Sequence, residues 1–162
     1  MKAKHHFWSS LAAGGALYWA TGSSAALAGS MVGGFLIDAD HVIDQLWSIR
    51  HGAPFRRKRS AADPGAWTRA ITPAWLVDLL RPRKLLRLPL VFHSYEILAL
   101  LTVLALVVRG PFLIGLLSGY VLHIFLDMMR HHHEFQSPLF YFLSYRLARG
   151  FRRDQLIKPD YL

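Results

Sequence analysis

Cysteine is missing altogether, and charge is scarce: 18% of the 162 residues are Asp, Glu, Lys or Arg. The first absence excludes disulfides, a thiolate nucleophile and any Cys-ligated zinc or iron–sulfur centre. The second falls short of the roughly 25% that a soluble domain usually carries. Acid is scarcer than base, with 10 Asp+Glu against 19 Lys+Arg and a net charge of +9. Length leaves no room for a second domain of ordinary size, and a 53% hydrophobic composition excludes intrinsic disorder. A small membrane protein or an unusually apolar soluble one remains.

Four apolar stretches are present. The turn signals Thr21-Gly22-Ser23-Ser24 and Arg109-Gly110-Pro111 join them in pairs. The pattern predicts helices over about 5–21, 23–47, 88–108 and 111–130, a basic loop over 49–87, and an amphipathic helix in 135–151. The expected fold is all-α: one domain over 1–162, built as a four-helix transmembrane bundle of two helical hairpins with an amphipathic C-terminal helix. Only the third stretch approaches the roughly 20 apolar residues a bilayer needs. The first two are rich in Gly, Ala and Ser, which lets helices pack closely inside a membrane. Of the 19 basic residues, 18 fall in the N-terminal tip, the 49–87 segment or the stretch after 129. The positive-inside rule then puts both termini and the loop on the cytoplasmic side of the inner membrane.

The polar residues within or beside these stretches are mostly His, Asp and Glu, types that bind divalent metals through nitrogen and oxygen. Asp38 and His41, like His93 and Glu96, are three apart, and His123 and Asp127 are four apart, so each pair shares a helix face. Depth adds to spacing. At about 1.5 Å per residue, His6, Asp38, His93 and Asp127 each lie about 22–24 Å from the outer turn of their hairpin. Four helices thus deliver metal-type residues to one level, while Lys and Arg lie further out. Interfacial anchoring accounts for any one of them, but Lys and Arg would be the usual anchors on this side.

The run Arg56-Arg57-Lys58-Arg59 beside a membrane reads as a contact for anionic lipid head groups, each cation contributing about 1 kcal/mol. No nucleic-acid reader motif accompanies it. The run His131-His132-His133 points in several directions around a helix, so at most two of its members face one ion.

Three motifs, in order along the chain, resemble those of the membrane-bound metal-dependent hydrolase family, the YdjM/YbcI-like proteins. Ile37-Asp38-Ala39-Asp40-His41 is similar to its P-D-I-D-H motif, with Ile37 in place of proline. His93-Ser94 is similar to the end of its H-R-G-x-T-H-S segment, whose first half is absent here. Gly119-Tyr120-Val121-Leu122-His123 with Asp127 is similar to its G-Y-x-S-H-x-x-x-D motif, and His6 matches its usual opening. A more distant resemblance is to zinc-dependent phospholipase C.

The resemblance implies an integral membrane hydrolase of a phosphoester or ester on a lipid-linked substrate, acting through metal-activated water. His6, Asp38, His41, His93, His123 and Asp127 are the candidate ligands for one or two divalent ions, zinc foremost and manganese or iron(II) next. Asp40 and Glu96 are the candidate general bases or orienting partners. The alternative is a non-catalytic membrane protein with a structural metal site or a proton or ion path.

Overall fold

The computed structural model describes residues 3–41, 44 and 87–161. Among them the chain is helical and contains no strand, only two isolated bridges, Arg87 with Arg152 and Phe135 with Ile157. The principal helices are α1 (Ala3–Thr21), α2 (Ser24–Phe35), α3 (Tyr95–Val108) and α4 (Pro111–His131). Short helices α5 (Leu143–Ala148) and α6 (Arg153–Leu156) follow, with 3-10 turns at Leu36–Asp38, Pro138–Tyr141 and Pro159–Tyr161. Most of the expected basic loop, including Arg56, Arg57, Lys58 and Arg59, lies outside the described residues.

Helix α2 is the hub, packed most extensively on α4 and next on α1; α1 also touches α4, while α3 rests on α4. Small residues make this possible. Gly29 and Gly33 of α2 face the backbone at Phe112 and Leu116, and Gly115 and Gly119 of α4 face that at Ala26 and Ser30. A Cβ at any of the four would run into main-chain atoms of the opposite helix. The two G-x-x-x-G spacings thus let backbones touch, a contact that larger side chains would forbid.

Three boundaries differ from the sequence expectation, each for a local reason. The second helix tightens into a 3-10 turn at Leu36–Asp38, just past the Gly33-Gly34 pair, before helical backbone resumes at 39–41. The third begins at Tyr95, not 88. Pro89 and a left-handed Leu90 (φ 43°) keep the approach non-helical, and Ser94 caps the helix by accepting from Ile97 N–H. The expected amphipathic helix over 135–151 is a correction. Pro138, extended Phe142 and left-handed Gly150 (φ 59°) break it into a 3-10 turn and the six-residue α5. Part of this segment folds back on the bundle. Phe135, Phe140, Tyr141, Leu156 and Ile157 join Ile37, Leu90, Tyr120 and Ile124 in one apolar core.

Among the described residues, α4 is the helix long and apolar enough to cross a membrane, with 21 residues or about 31 Å. α3 is apolar but shorter.

The α2–α4 contact gives a direct contrast. Gly119→Val should lower stability by about 1–3 kcal/mol through overpacking against the Ser30 carbonyl. Gly15→Ala on α1, where an added Cβ meets nothing within 4 Å, should be neutral or stabilising by up to about 1 kcal/mol. Thermal unfolding of the two variants measures this, and equal melting temperatures would contradict the close-packed interface.

Candidate metal centre

The ends of all four long helices that carry His and Asp meet at one end of the molecule. His6 comes from the first turns of α1, Asp38 from the 3-10 turn after α2, His93 from the turn before α3, and His123 and Asp127 from the last turns of α4. His6, His93 and His123 are each no more than 2% exposed.

The bonds that His93 and His123 make on their far sides orient their rings. His123 Nδ1 lies 2.7 Å from the carbonyl oxygen of Gly34. A carbonyl only accepts, so Nδ1 carries the hydrogen, and neutral His123 presents a lone pair at Nε2. His93 Nδ1 lies 2.9 Å from Asp40 Oδ2, which also accepts from Phe92 N–H. That contact turns its Nε2 inward, toward His123. These two nitrogens face each other at 3.0 Å. A proton on one of the two makes this contact an N–H···N hydrogen bond, and a metal ion that binds both nitrogens must displace that proton.

Carboxylates complete the set. Asp38 Oδ1 lies 3.6 Å from both Nε2 atoms, and so does Asp127 Oδ2. Ligands bound at about 2.1 Å lie about 3.0 Å apart along an octahedral edge and about 3.4 Å apart along a tetrahedral one. Asp38, His93 and His123 bring donor atoms close enough together to hold one ion, and so do His6, His123 and Asp127. Nitrogen and oxygen donors without thiolate suit zinc, manganese or iron. Buried His/Asp groups in this chain can therefore hold a metal ion.

The remaining expected residues stand around this core. His6 stacks on His123, with ring centroids 4.0 Å apart, and its Nε2 lies 3.1 Å from Asp127 Oδ1, the oxygen not aimed at the other imidazoles. It orients Asp127, or binds an ion beside it. His41 flanks the open side, its Nε2 3.8 Å from Asp38 Oδ1 and its side chain 46% exposed. Asp40 is 3% exposed and orients His93, so its place is behind a ligand, away from any substrate. Glu96 is elsewhere. It accepts from the N–H groups of Leu143 and Ser144 and from the Ser144 hydroxyl at 2.8–2.9 Å, capping α5. His131 pairs with Glu134 at 2.7 Å, apart from this cluster.

Electrostatics follow from burial and from the carboxylates. Burial opposes charge on His93, yet Asp38 and Asp40 outweigh it and push the pKa up to about 9. Asp44 is pushed up to about 6, chiefly by burial, although Leu90 N–H donates to it at 2.9 Å.

Three further residues shape the site: Asp44, one of the metal-type residues beside the apolar stretches, and Tyr120 and Arg146, whose polar roles the sequence does not signal. All three bind the backbone of the turn that carries His93. The hydroxyl of Tyr120 lies 2.6 Å from the Phe92 carbonyl and 2.7 Å from that of Ser94, and accepts from Ser94 N–H at 3.2 Å. Tyr120 lay within a recognised motif, and its position four before Ile124 on an apolar face carries no sign of a polar task. In comparisons with protein-family models, characterised proteins and solved structures, the chain has no match. The reading of this centre therefore rests on its own chemistry.

His123→Ala should abolish stoichiometric metal binding, whereas Asp40→Asn should weaken it by about 10–100-fold and leave it measurable. Titration calorimetry with zinc distinguishes the two, and wild-type affinity in the His123 variant would refute the ligand assignment.

Proposed function

We propose that this chain is an integral membrane metalloprotein that hydrolyses a phosphoester or ester of a lipid-linked substrate. The observation that carries the proposal is the convergence of two imidazole nitrogens 3.0 Å apart with two carboxylate oxygens alongside, a donor set suited to a divalent cation. A divalent ion held there supplies Lewis acidity and lowers the pKa of a water it binds.

The chain's own residues do the rest. His93 and His123 are oriented by Asp40 and by the Gly34 carbonyl. Asp38, with a quarter of its side chain exposed, and His41 line the accessible side. That open edge favours a hydrolytic centre over a closed structural one, because catalytic sites keep a position free. His41 is the group placed to move a proton at that edge, since its ring is both exposed and beside Asp38.

The membrane reading proposes α1, α2, α3 and α4 as the spanning segments of a four-helix transmembrane bundle. Supporting it are large apolar side chains left outside the fold: Trp8 and Trp19 on α1, Leu106 and Val107 on α3, Phe125 and Met129 on α4. Exposed apolar side chains on three of the long helices agree with a lipid-facing surface. The charge asymmetry supports an orientation with the metal end and both termini at the cytoplasmic face of the inner membrane. Arg56, Arg57, Lys58 and Arg59 are proposed to meet anionic head groups there. The likeness of the three motifs to membrane-bound metal-dependent hydrolases agrees with this reading, and the distant likeness to zinc-dependent phospholipase C favours phosphoester substrates.

Metal analysis of detergent-purified protein, followed by a screen of phospholipid and polyprenyl phosphate hydrolysis, tests the proposal. Zinc, manganese or iron near one equivalent is expected, with hydrolysis that disappears in a His123→Ala/Asp127→Ala variant. Stoichiometric metal without hydrolysis of any lipid-linked ester would leave the structural-metal alternative. Metal binding should also fall as pH drops, because every ligand must be deprotonated to bind; an affinity unchanged from pH 8 to pH 5 would contradict the His/Asp donor set.

A further inference from the structure

Arg146 stands out as a charge buried without an acidic partner in contact. It is 0% exposed, on α5, and no carboxylate lies within ion-pair distance of it among the described residues. Burial lowers its pKa. Removing a guanidinium from water costs several kcal/mol, so this one is expected to have a task that an apolar side chain would not perform.

Its hydrogen bonds show what that task is. Nη2 donates to the Leu90 carbonyl at 2.9 Å, and Nη1 donates to the carbonyls of His93 at 3.0 Å and Phe140 at 3.1 Å. The guanidinium also lies 5.3 Å from the Phe140 ring centroid, a cation–π distance. Leu90 and His93 are the two ends of one non-helical turn, closed by His93 N–H donating to Leu90 C=O at 2.9 Å. A rigid planar fork spanning both carbonyls holds the turn's curvature. Other residues serve the interior of the turn: Asp44 takes Leu90 N–H, Asp40 takes Phe92 N–H, and Tyr120 serves Phe92 and Ser94. Only Arg146, among the described residues, joins the carbonyl of the ligand residue itself to the C-terminal segment.

We propose that Arg146 is a positioning residue for the metal centre, its guanidinium fixing the Leu90 and His93 carbonyls so that His93 Nε2 is aimed at His123. The segment 135–157 is thereby part of the centre although it contributes no ligand. The proposal rests on the metal reading above, and its test separates the two.

Zinc affinity, measured by competition with a chelating dye, and carbethoxylation of His93 by diethyl pyrocarbonate in metal-free protein are compared across four proteins. These are wild type, Arg146→Met, Arg146→Lys and Leu156→Ala. Leu156 is a buried core residue of the same segment that is not among the residues bonded to the His93 turn, so its truncation reports general destabilisation. Arg146→Met should bind zinc about 10–100-fold more weakly and expose His93 to modification, and Arg146→Lys should recover part of both. Leu156→Ala should lower the melting temperature while leaving zinc affinity and His93 protection as in wild type. Wild-type zinc affinity and His93 protection in Arg146→Met, or equal losses in Leu156→Ala, would overturn the proposal. If Arg146→Met does not fold, Arg146→Lys decides: weakened zinc binding at an unchanged melting temperature supports positioning, and full wild-type behaviour overturns it. Should wild type bind none of zinc, manganese and iron(II), the metal reading fails, while carbethoxylation of His93 still decides the role of Arg146.

Discussion

The contact between the backbones of α2 and α4 is the constraint on which the rest depends. Gly29 and Gly33 on one helix, and Gly115 and Gly119 on the other, bring main chain against main chain. Because of that proximity His123, one turn beyond Gly119, reaches across to the carbonyl of Gly34 at 2.7 Å. The bond settles the tautomer of His123 and aims its lone pair inward. A Cβ at Gly119 would push the helices apart and lengthen this bond, so packing and ligand chemistry are one problem here, not two.

The same logic extends to the other ligands. His93 and His123 are each held from behind by a group that only accepts, the Asp40 carboxylate and the Gly34 carbonyl. Such partners keep donors in place before an ion arrives, which reduces the reorganisation that binding requires. Buried polar groups usually threaten stability. In this molecule they are paired around one turn, residues 90–94, where a helix would have satisfied the backbone but pointed His93 elsewhere. Asp44, Asp40, Tyr120 and Arg146 together replace the hydrogen bonds that a helix would have made.

The C-terminal segment shows that composition alone does not set the length of a helix. Arg146, Arg149 and Arg152 among Phe, Leu and Tyr have the pattern of an interfacial helix. Arg149 and Arg152 are indeed exposed, but Arg146 is wholly buried. Proline at 138 and a left-handed glycine at 150 turn the segment back on the bundle, and Phe135 stacks on Phe140 at 3.7 Å to hold it. Glu96 has the reverse history. It sits three residues from His93, which makes it a plausible base on a helix, yet α3 begins only at Tyr95, so the two never share a helical face.

Sequence by itself determined the helical class, the turns at 21–24 and 109–111, and the choice of His and Asp that could serve a metal. Those follow from local quantities: apolar runs, turn chemistry, and a common distance of about 22–24 Å from the outer turns. His6, Asp38, His41, His93, His123 and Asp127 do meet at one end of the fold. Tertiary structure decided their roles. Whether a carboxylate binds an ion, orients an imidazole or caps a helix depends on which atoms lie within about 3 Å of it. For Asp38, Asp40 and Glu96 those atoms come from residues about 50 positions away, or from another helix. Spacing along one chain carries no record of such neighbours, so the division of labour at the centre exists only once α2, α4 and the turn at His93 have packed together.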